Sequence, residues 1–269
     1  MKSREGMSER NSAWLWQRIR GEGETLVNGE PLLASFFHST LLNHSSLENA
    51  LAFLLANQLG NTDVQPMLLQ QVCKETYASE PQIIDAATAD SLAHYDRDPA
   101  CKYFSMPLLY FKGFQAVQAY RVANWLWRQQ RRALALFLQS RIADVFDIDI
   151  HPAATIGSGL MVDHGTGVVI GATAVLGNNI SMLHSVTLGG SGMGAGRRHP
   201  RIDDGVLIAS GAKLLGPITV GRDAKIAAGS VVLSDVVEFS TVAGVPARLV
   251  GAANKSVPSQ DMNQCFDDG

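Results

Sequence analysis

The chain contains 269 residues, of which 46% are apolar, so it can bury a sizeable core and is not expected to be disordered. Its formal net charge of −3 gives no electrostatic footprint for nucleic acid. The start, MKSREGMSER, lacks the apolar stretch of a signal peptide, and no run of about 18 apolar residues predicts a membrane span.

The composition changes sharply near residue 147. Residues 1–147 hold 6 of the 25 glycines, whereas residues 148–250 hold 17. All tryptophans and tyrosines lie in the first part, and no aromatic ring of Phe, Tyr or Trp occurs between Phe146 and Phe239. A core without such rings is narrow and is filled by aliphatic side chains. We therefore predict two domains, residues 1–147 and 148–250, followed by a polar and mobile tail, residues 251–269.

Helical patterns dominate the first domain. Ser45 and Glu48 predict a capping box that opens a helix over 47–59, and Gly60 supplies its stop. Further helices are predicted over 63–78 (with Pro66 in the first turn), over 81–95 and, from an apolar stripe at helical spacing, within 107–146. The stripe predicts helix–helix packing, and self-association through a helical surface is the alternative.

A six-residue repeat runs through the second domain. Apolar residues recur at every sixth position in two phases, at Ile150, Ile156, Val162, Val168, Ala174, Ile180 and Val186, and then at Ile208, Leu214, Val220, Ile226 and Val232. Chance would make all of these positions apolar with a probability of roughly 10⁻⁴. Hexapeptide repeats of this kind predict a parallel β-helix, in which each coil consists of three short strands. The predicted fold class is therefore α + β, an all-helical N-terminal domain followed by a β-helix.

The change of phase predicts a loop that leaves the β-helix. Residues 189–205 read GGSGMGAGRRHPRIDDG, and their glycines and Pro200 do not fit a regular coil. Loops on rigid solenoids often carry function. This loop holds Arg197, Arg198, His199 and Arg201, although a passive insertion is the alternative.

His164 is the candidate general base. It follows Asp163 in the string VDHGTG, and Asp149 lies 15 residues earlier. Because a coil takes about 18 residues, Asp149 and His164 are expected on adjacent coils, where the carboxylate would orient the imidazole. A structural role at a corner is the alternative. The four histidines of this domain, His151, His164, His184 and His199, show no HxxxH or HxxxxH spacing, so no metal site is predicted.

No covalent nucleophile is predicted, because Ser185, Ser191 and Ser210 have no adjacent base and two of the three cysteines lie in the helical domain. Without a covalent nucleophile, an acyl transfer would proceed by direct attack of a substrate hydroxyl on a bound thioester. CoA would fit a groove between coils, where its phosphates could meet the cations Lys213, Arg222, Lys225 and Arg248; solvated surface charges are the alternative. The cysteines Cys73, Cys101 and Cys265 predict neither disulfides nor a CxxC site and agree with a reducing cytoplasm.

Several strings resemble bacterial serine O-acetyltransferases. They are DIHPAATIGSGLMVDHGTGVVIG (149–171), SVTLGG (185–190), RRHPRI (197–202) and VAGVPARLVG (242–251), and the last is shared by hexapeptide acyltransferases generally. DRDPACKYFSMPLLYFKGFQAVQAYR (96–121) resembles the segment that leads into the family's helical domain, which sugar and antibiotic acetyltransferases lack. The resemblance spans about residues 12–250.

This resemblance implies a left-handed β-helix and transfer of an acetyl group from acetyl-CoA to L-serine, the committed step toward cysteine. By the family's pattern, His164 would be the general base and Asp149 its orienting partner. The residues that the pattern assigns to serine are Asp98 and Asp163 for the amino group, Arg198 for the carboxylate and His199 beside it. The residues that it assigns to CoA are Ser210, Lys225 and Ala228. No metal is expected.

The resemblance also implies partners. Two trimers would join through their helical domains into a hexamer, with sites between neighbouring subunits, and cysteine would compete with serine as a feedback inhibitor. Relatives that bind O-acetylserine sulfhydrylase end in isoleucine, whereas this sequence ends in CFDDG at Gly269, which counts against that complex. Ala172 is a second departure, because many relatives carry an acidic residue there.

Three alternatives to a serine acetyltransferase stay open from the sequence. The first is a hexapeptide acetyltransferase with another acceptor, such as homoserine or a sugar. The second is a zinc carbonic anhydrase on the same β-helix, which the histidine spacing disfavours. The third is a non-catalytic scaffold that binds a sulfhydrylase, which the Asp149 and His164 pair disfavours.

Overall fold

The computed structural model describes residues 10–192, 196–252 and 257–264. Cys265 and Gly269, which two of the expectations concern, lie outside these ranges. Eight helices precede the first strand: α1 (Ser12–Gly29), α2 (Ala34–Phe37), α3 (Leu47–Leu59), α4 (Pro66–Ser79), α5 (Gln82–Arg97), α6 (Ser105–Tyr110), α7 (Lys112–Arg128) and α8 (Arg132–Phe146). A 3₁₀ turn (Pro31–Leu33) and a π-helical turn (His38–Leu42) flank α2.

The helix starts show where local sequence rules succeed. Pro66 lies in the first turn of α4, as predicted, because proline lacks the N–H that a first turn leaves unpaired, but the helix begins at Pro66 itself, three residues later than expected. The predicted capping box at α3 is wrong. Ser46, one residue later than Ser45, is the N-cap of α3, and its side chain makes no capping hydrogen bond. Gly60 ends α3 in an extended conformation (φ −64°, ψ 152°) that any residue can adopt.

The second half is a parallel β-helix, which confirms the predicted fold class. Its strands are β1 (Ile148–Ile150), β2 (Thr155–Ile156), β3 (Met161–Val162), β4 (Val168–Ile170), β5 (Val175–Leu176), β6 (Ser181–Met182), β7 (Thr187–Gly189), β8 (Arg201–Ile202), β9 (Leu207–Ile208), β10 (Lys213–Leu215), β11 (Thr219–Val220), β12 (Lys225–Ile226), β13 (Val231–Val232), β14 (Ser240–Gly244) and β15 (Ala247–Ala252). They form three faces of a triangular prism. Sheet A has the order β1-β4-β7-β10-β13, sheet B β11-β8-β5-β2 and sheet C β15-β14-β12-β9-β6-β3.

The repeat positions fill the prism. All of the predicted apolar positions except the half-buried Ile156 are buried in one continuous core. The repeat resumes earlier than the sequence suggested, because Arg201–Ile202 pairs in parallel with Val175–Leu176 as strand β8. The excursion between strands is therefore residues 190–200 rather than 189–205.

A buried ion pair fastens the helical half to the first coil. Asp90, on α5, is fully buried, and its Oδ2 accepts from Nη2 of Arg121 at 2.7 Å and from Nε2 of Gln118 at 2.9 Å. Its Oδ1 accepts from the backbone N–H of Leu160 at 2.9 Å, and Arg121 donates to the carbonyl of Gly157 at 2.7 Å. Since both charges are paired and hydrogen-bonded, the helices are held in a fixed position against the turn between β2 and β3.

The segment after residue 250, expected to be polar and mobile, contains the end of β15 and a helical turn, α9 (Pro258–Asp261). Strand β15 turns back antiparallel to β14. The carbonyl of Ser259, in α9, accepts from Oγ of Ser181 at 2.7 Å, so this turn lies against the second coil. Over the described ranges, none of the helices combines the length and apolar character needed to cross a membrane.

Candidate active site

One edge of the prism, where sheet C turns into sheet A, carries the candidate base. Val162 pairs with Met182, Met182 with Ile208, and Ile208 with Ile226, so the residues two positions beyond each strand stack along this edge. We call this row the base edge; it consists of His164, His184, Ser210 and Ala228. Backbone bonds join the turns, for example from Gly211 N–H to the His184 carbonyl at 3.0 Å. Successive members are therefore separated by about 4.8 Å.

His164 is presented to solvent at the start of the base edge. Its side chain is 73% exposed, and its backbone is in the left-handed region at φ 56°. Nε2 lies 3.7 Å from Oδ2 of Asp163, and the ring meets that of His184 edge-on with centroids 5.9 Å apart. A non-glycine residue at positive φ is uncommon and points the side chain in a direction that a regular strand would not give. The imidazole is thus free to reach a ligand.

Asp149 lies on the outer face of β1, because Ile148 and Ile150 on either side point into the core. Its Oδ1 accepts from Nε2 of Gln139, on α8, at 2.7 Å. The described residues contain no hydrogen bond or ion pair between Asp149 and His164. Burial lowers the pKa of His151 below its ordinary value, and the charge of Asp149, which acts on this ring instead, partly offsets that effect. The sequence anticipated neither the Gln139 bond nor this neighbour.

The candidate cation and the second histidine lie at another edge, where sheet A turns into sheet B. We call it the clamp edge; it consists of His151, Gly171, Thr173, Arg198 and His199. Backbone N–H groups of Arg198 and His199 donate to Oγ1 of Thr173 at 3.0 and 3.2 Å, which returns the loop to the coil. Arg198 is exposed, whereas the side chain of His199 is buried against Gly171.

The imidazole of His199 is held by packing against Gly171 and by a hydrogen bond between its Nδ1 and Thr173. A Cβ on Gly171 would stand 2.0 Å from Nε2 and Cδ2 of His199, so only glycine leaves room for the ring. Nδ1 lies 2.8 Å from Oγ1 of Thr173 and 3.3 Å from its N–H. Burial, then the charge of Arg198 and then His151 lower the pKa of His199 below its ordinary value. The ring is therefore uncharged at neutral pH, with Nδ1 accepting and Nε2 carrying the proton.

The two edges are separated by the width of sheet A. His164 precedes β4 and Gly171 follows it, and the strand alone spans roughly 10 Å at ~3.3 Å per residue. A serine molecule is shorter than this. One chain therefore cannot bring His164 and Arg198 to the same serine across its own face.

The two candidate ammonium ligands come from different parts of the chain. Asp163 adjoins His164, and Asp98 follows the last residue of α5, the helix that packs on β3. Oδ1 of Asp98 accepts from the N–H of Ala100 at 2.7 Å. Arg97 fixes the end of α5 by donating to the carbonyl of Gly159 at 3.0 Å and to Oγ of Ser181 at 3.1 Å.

The candidate CoA residues extend up the base edge. Ser210 is half-buried and Ala228 is exposed, one and two coils above His184, while Lys225 is buried in β12. Among the cations considered for the phosphates, Lys213 donates to the Ser185 carbonyl at 2.6 Å and to Oγ1 of Thr187 at 3.1 Å. Lys213 therefore stabilises the corner beside His184, a role that the sequence analysis did not predict.

No group of three or more His, Cys, Asp and Glu side chains in the described ranges is arranged to hold a metal ion. Three residues beside the candidate site were missed by sequence reasoning: Gln139, His151 and His184 as a neighbour of His164. The six-residue register did not contain the signal for His184, because three repeats make 18 residues, whereas Val162 pairs with Met182 and His184 lies 20 residues after His164, one coil later. Gln139 had no signal either, because its contact depends on how α8 folds back over β1.

The chain is similar to known serine acetyltransferases in both sequence and structure. Residues 15–119 match the family profile described as serine acetyltransferase, N-terminal. The serine acetyltransferase of Escherichia coli K12 is 53% identical over 252 residues, which cover 94% of this chain and 92% of that protein. The crystal structure of the Vibrio cholerae serine acetyltransferase superposes with a TM-score of 0.94 at 51% identity, covering 95% of this chain and 99% of that one.

Ligand-bound serine acetyltransferases are also similar. A complex with cysteine gives a TM-score of 0.92 at 52% identity and covers 94% of this chain and 98% of that one. A complex with CoA gives 0.85 at 53% identity, covering 88% and 98%. The Neisseria gonorrhoeae enzyme in complex with serine gives 0.86 at 52% identity, covering 88% and 97%.

Proposed function

The chain belongs to the serine acetyltransferase family, and we propose that it transfers the acetyl group of acetyl-CoA to the hydroxyl of L-serine. The products are O-acetyl-L-serine and CoA, the first step of cysteine biosynthesis. The observation that carries the proposal is the 53% identity to a serine acetyltransferase over 94% of the chain. The exposed imidazole of His164, at the foot of a continuous edge, supports it.

His164 is the proposed general base. As serine Oγ attacks the thioester carbonyl carbon, its proton passes to the imidazole; collapse of the tetrahedral intermediate breaks the C–S bond, and the imidazolium returns the proton to the CoA sulfur. Asp149 is the proposed orienting carboxylate. Gln139 occupies only its Oδ1, and the described residues provide Oδ2 with no hydrogen-bond donor, so Oδ2 can accept from an imidazole N–H.

Serine is a zwitterion and needs a clamp of each sign. Asp98 and Asp163, beside the base, would bind its ammonium group, and Arg198 would pair with its carboxylate. His199 would contact the substrate next to Arg198 through Nε2–H, since Thr173 occupies Nδ1. The sign of each group and the fixed orientation of His199 support these roles.

We propose that the site closes between neighbouring subunits. The width of sheet A separates the base edge from the clamp edge within one chain, so the base edge of one subunit would face the clamp edge of the next. A trimer of β-helices satisfies this arrangement. The exposed side chain of Leu32, next to the half-exposed Leu33 and Phe36, supports pairing of trimers into a hexamer through the helical halves.

Acetyl-CoA would lie along the base edge, with its thioester near His164 and its pantetheine arm passing Ser210, Lys225 and Ala228. Cysteine, which differs from serine by one atom, would occupy the same clamp as a competitive inhibitor. A cytoplasmic location is consistent with Cys73 and Cys101, both of which are buried free thiols.

A CoA-release assay tests the proposal. We expect release that requires serine, that is far slower with homoserine or a sugar, and that falls when cysteine is added at fixed serine. Release that is the same with and without serine would contradict the assigned acceptor. Release with homoserine at the serine rate would reassign the enzyme to a different acceptor.

A further inference from the structure

His184 occupies a position on the base edge that the roles above leave unassigned. It lies one coil above His164 and one coil below Ser210, because Met182 pairs with both Val162 and Ile208. A cosubstrate that reaches from His164 to Ser210 must therefore pass the His184 side chain. The two imidazoles meet edge-on with centroids 5.9 Å apart, so nothing lies between them.

The orientation of the His184 ring leaves one nitrogen for a ligand. Nδ1 is buried and has no hydrogen-bond partner in the described part of the chain, whereas Nε2 is not enclosed in this way. A buried N–H without an acceptor is more costly than an N–H that faces a solvated groove, so the proton belongs on Nε2. The ring then presents a single donor at the edge.

The backbone that carries this ring is fixed. The N–H of Ser185 donates to the Thr166 carbonyl at 2.7 Å, and Nζ of Lys213 donates to the Ser185 carbonyl at 2.6 Å. The backbone from which the ring extends is thus fixed before a ligand arrives, which limits the reorganisation needed to place a donor where charge develops during a reaction.

We propose that Nε2–H of His184 donates to the sulfur of CoA as the thioester breaks. The inference rests on the proposed function, and it follows from the order of groups along the edge. With the acetyl carbon beside His164, the sulfur is the next atom toward Ser210, at the level of His184. As the C–S bond breaks, the electron pair moves to sulfur, and a donor there stabilises the forming thiolate until His164 returns the proton.

Because the proposed donor is Nε2 of His184, substitutions at this position can separate hydrogen-bond donation from a packing role. His184→Gln keeps an N–H donor near the reach of Nε2, His184→Asn places one near Nδ1 instead, and His184→Leu has none. We expect kcat to fall by about 10-fold or more in His184→Asn and His184→Leu and to be largely retained in His184→Gln. His38→Leu, at an exposed histidine of the helical half, is the matched control.

The affinities of CoA and desulfo-CoA, measured by calorimetry on the intact protein, provide a readout independent of turnover. Wild type is expected to bind CoA several-fold more tightly than desulfo-CoA, which lacks the sulfur, and His184→Leu to bind both equally. Equal preference for CoA in wild type and His184→Leu would overturn the inference while leaving the proposed function intact. Failure of wild type to bind CoA at all would instead overturn the proposed function.

Discussion

The base edge and the clamp edge are built from the same six-residue repeat, but they hold their histidines in different ways. On the base edge, His164 is 73% exposed, with Asp163 Oδ2 at 3.7 Å from its Nε2 and the ring of His184 edge-on to its own. On the clamp edge, His199 is 8% exposed, lies flat on Gly171 and has its Nδ1 engaged by Thr173. One ring is open and the other is fixed.

This difference indicates which of the two edges is complete within one chain. The clamp edge is complete within one chain, because its ring orientation, its tautomer and the lowered pKa of His199 are all set by local contacts. The base edge is incomplete, because no side chain in the described part of the chain makes a hydrogen bond to the His164 ring, and the carboxylate of Asp163 lies 3.7 Å from its Nε2. A substrate, a cosubstrate or a neighbouring subunit would supply the missing contacts. Substitutions on the two edges should therefore have different kinetic signatures.

The largest effect is expected from removal of the base. His164→Ala should lower kcat by roughly 10²-fold or more, because a positioned general base is worth ~10²–10⁴-fold and alanine cannot accept the serine proton. Since the ring is exposed, the melting temperature should change little, and CoA binding measured by calorimetry should persist. Near-normal turnover in this variant would show that the open edge is not where the chemistry occurs.

A substitution at Asp149 tests whether this carboxylate orients His164. Asp149→Asn should lower kcat by about 50-fold if the carboxylate stabilises the imidazolium of His164. Residues that act as a unit are not additive, so the double variant with His164→Ala should be no slower than His164→Ala alone. Additive losses would place Asp149 with His151, the residue on which it acts electrostatically in this chain.

The clamp edge should affect substrate binding more than turnover. Arg198→Ala should raise the serine KM by about 20-fold, since a charge-assisted pair with a carboxylate is worth ~1.5–3 kcal/mol. The acetyl-CoA KM should stay nearly constant, because the proposed path of the cosubstrate runs from His164 past Ser210 and Ala228 and uses no residue of the clamp edge. Arg197→Ala, whose guanidinium donates to the Pro217 carbonyl, is the matched control. Equal increases in both KM values would remove the carboxylate clamp.

The repeat made the prism predictable, because its six-residue period is imposed by core packing that every coil shares. Eleven of the twelve repeat positions became core, and Ile156 alone is half-buried. The turns were harder to predict. β8 was assigned to the loop because RIDDG reads as polar, yet its two residues gain parallel neighbours on both sides, in β5 and β11. Pairing between coils outweighed local polarity there.

The candidate site was predictable by residue type but not by contact. The sequence spacing placed Asp149 near His164, yet α8 folds back over β1 and brings Gln139 to the carboxylate first. That contact joins residues of two different halves, and no periodicity encodes it. The pairing of His164 with His184 depends on a coil of 20 residues rather than the expected 18, so it emerges only once the register of β3 and β6 is known.

The smallest effect, and the sharpest test of the fixed ring, is expected at Gly171. A methyl group there would stand 2.0 Å from Nε2 of His199, so Gly171→Ala must displace the ring. We expect the serine KM to rise by about 5-fold, the loss of roughly one neutral hydrogen bond, with the acetyl-CoA KM unchanged.

Gly190→Ala is the control for this test, because its Cβ would approach the same nitrogen at 3.5 Å, an ordinary contact, and should be tolerated. If Gly171→Ala binds serine normally, His199 does not need its fixed orientation. The clamp edge would then be no more preorganised than the base edge, and the contrast between the two edges would be a matter of packing rather than of function.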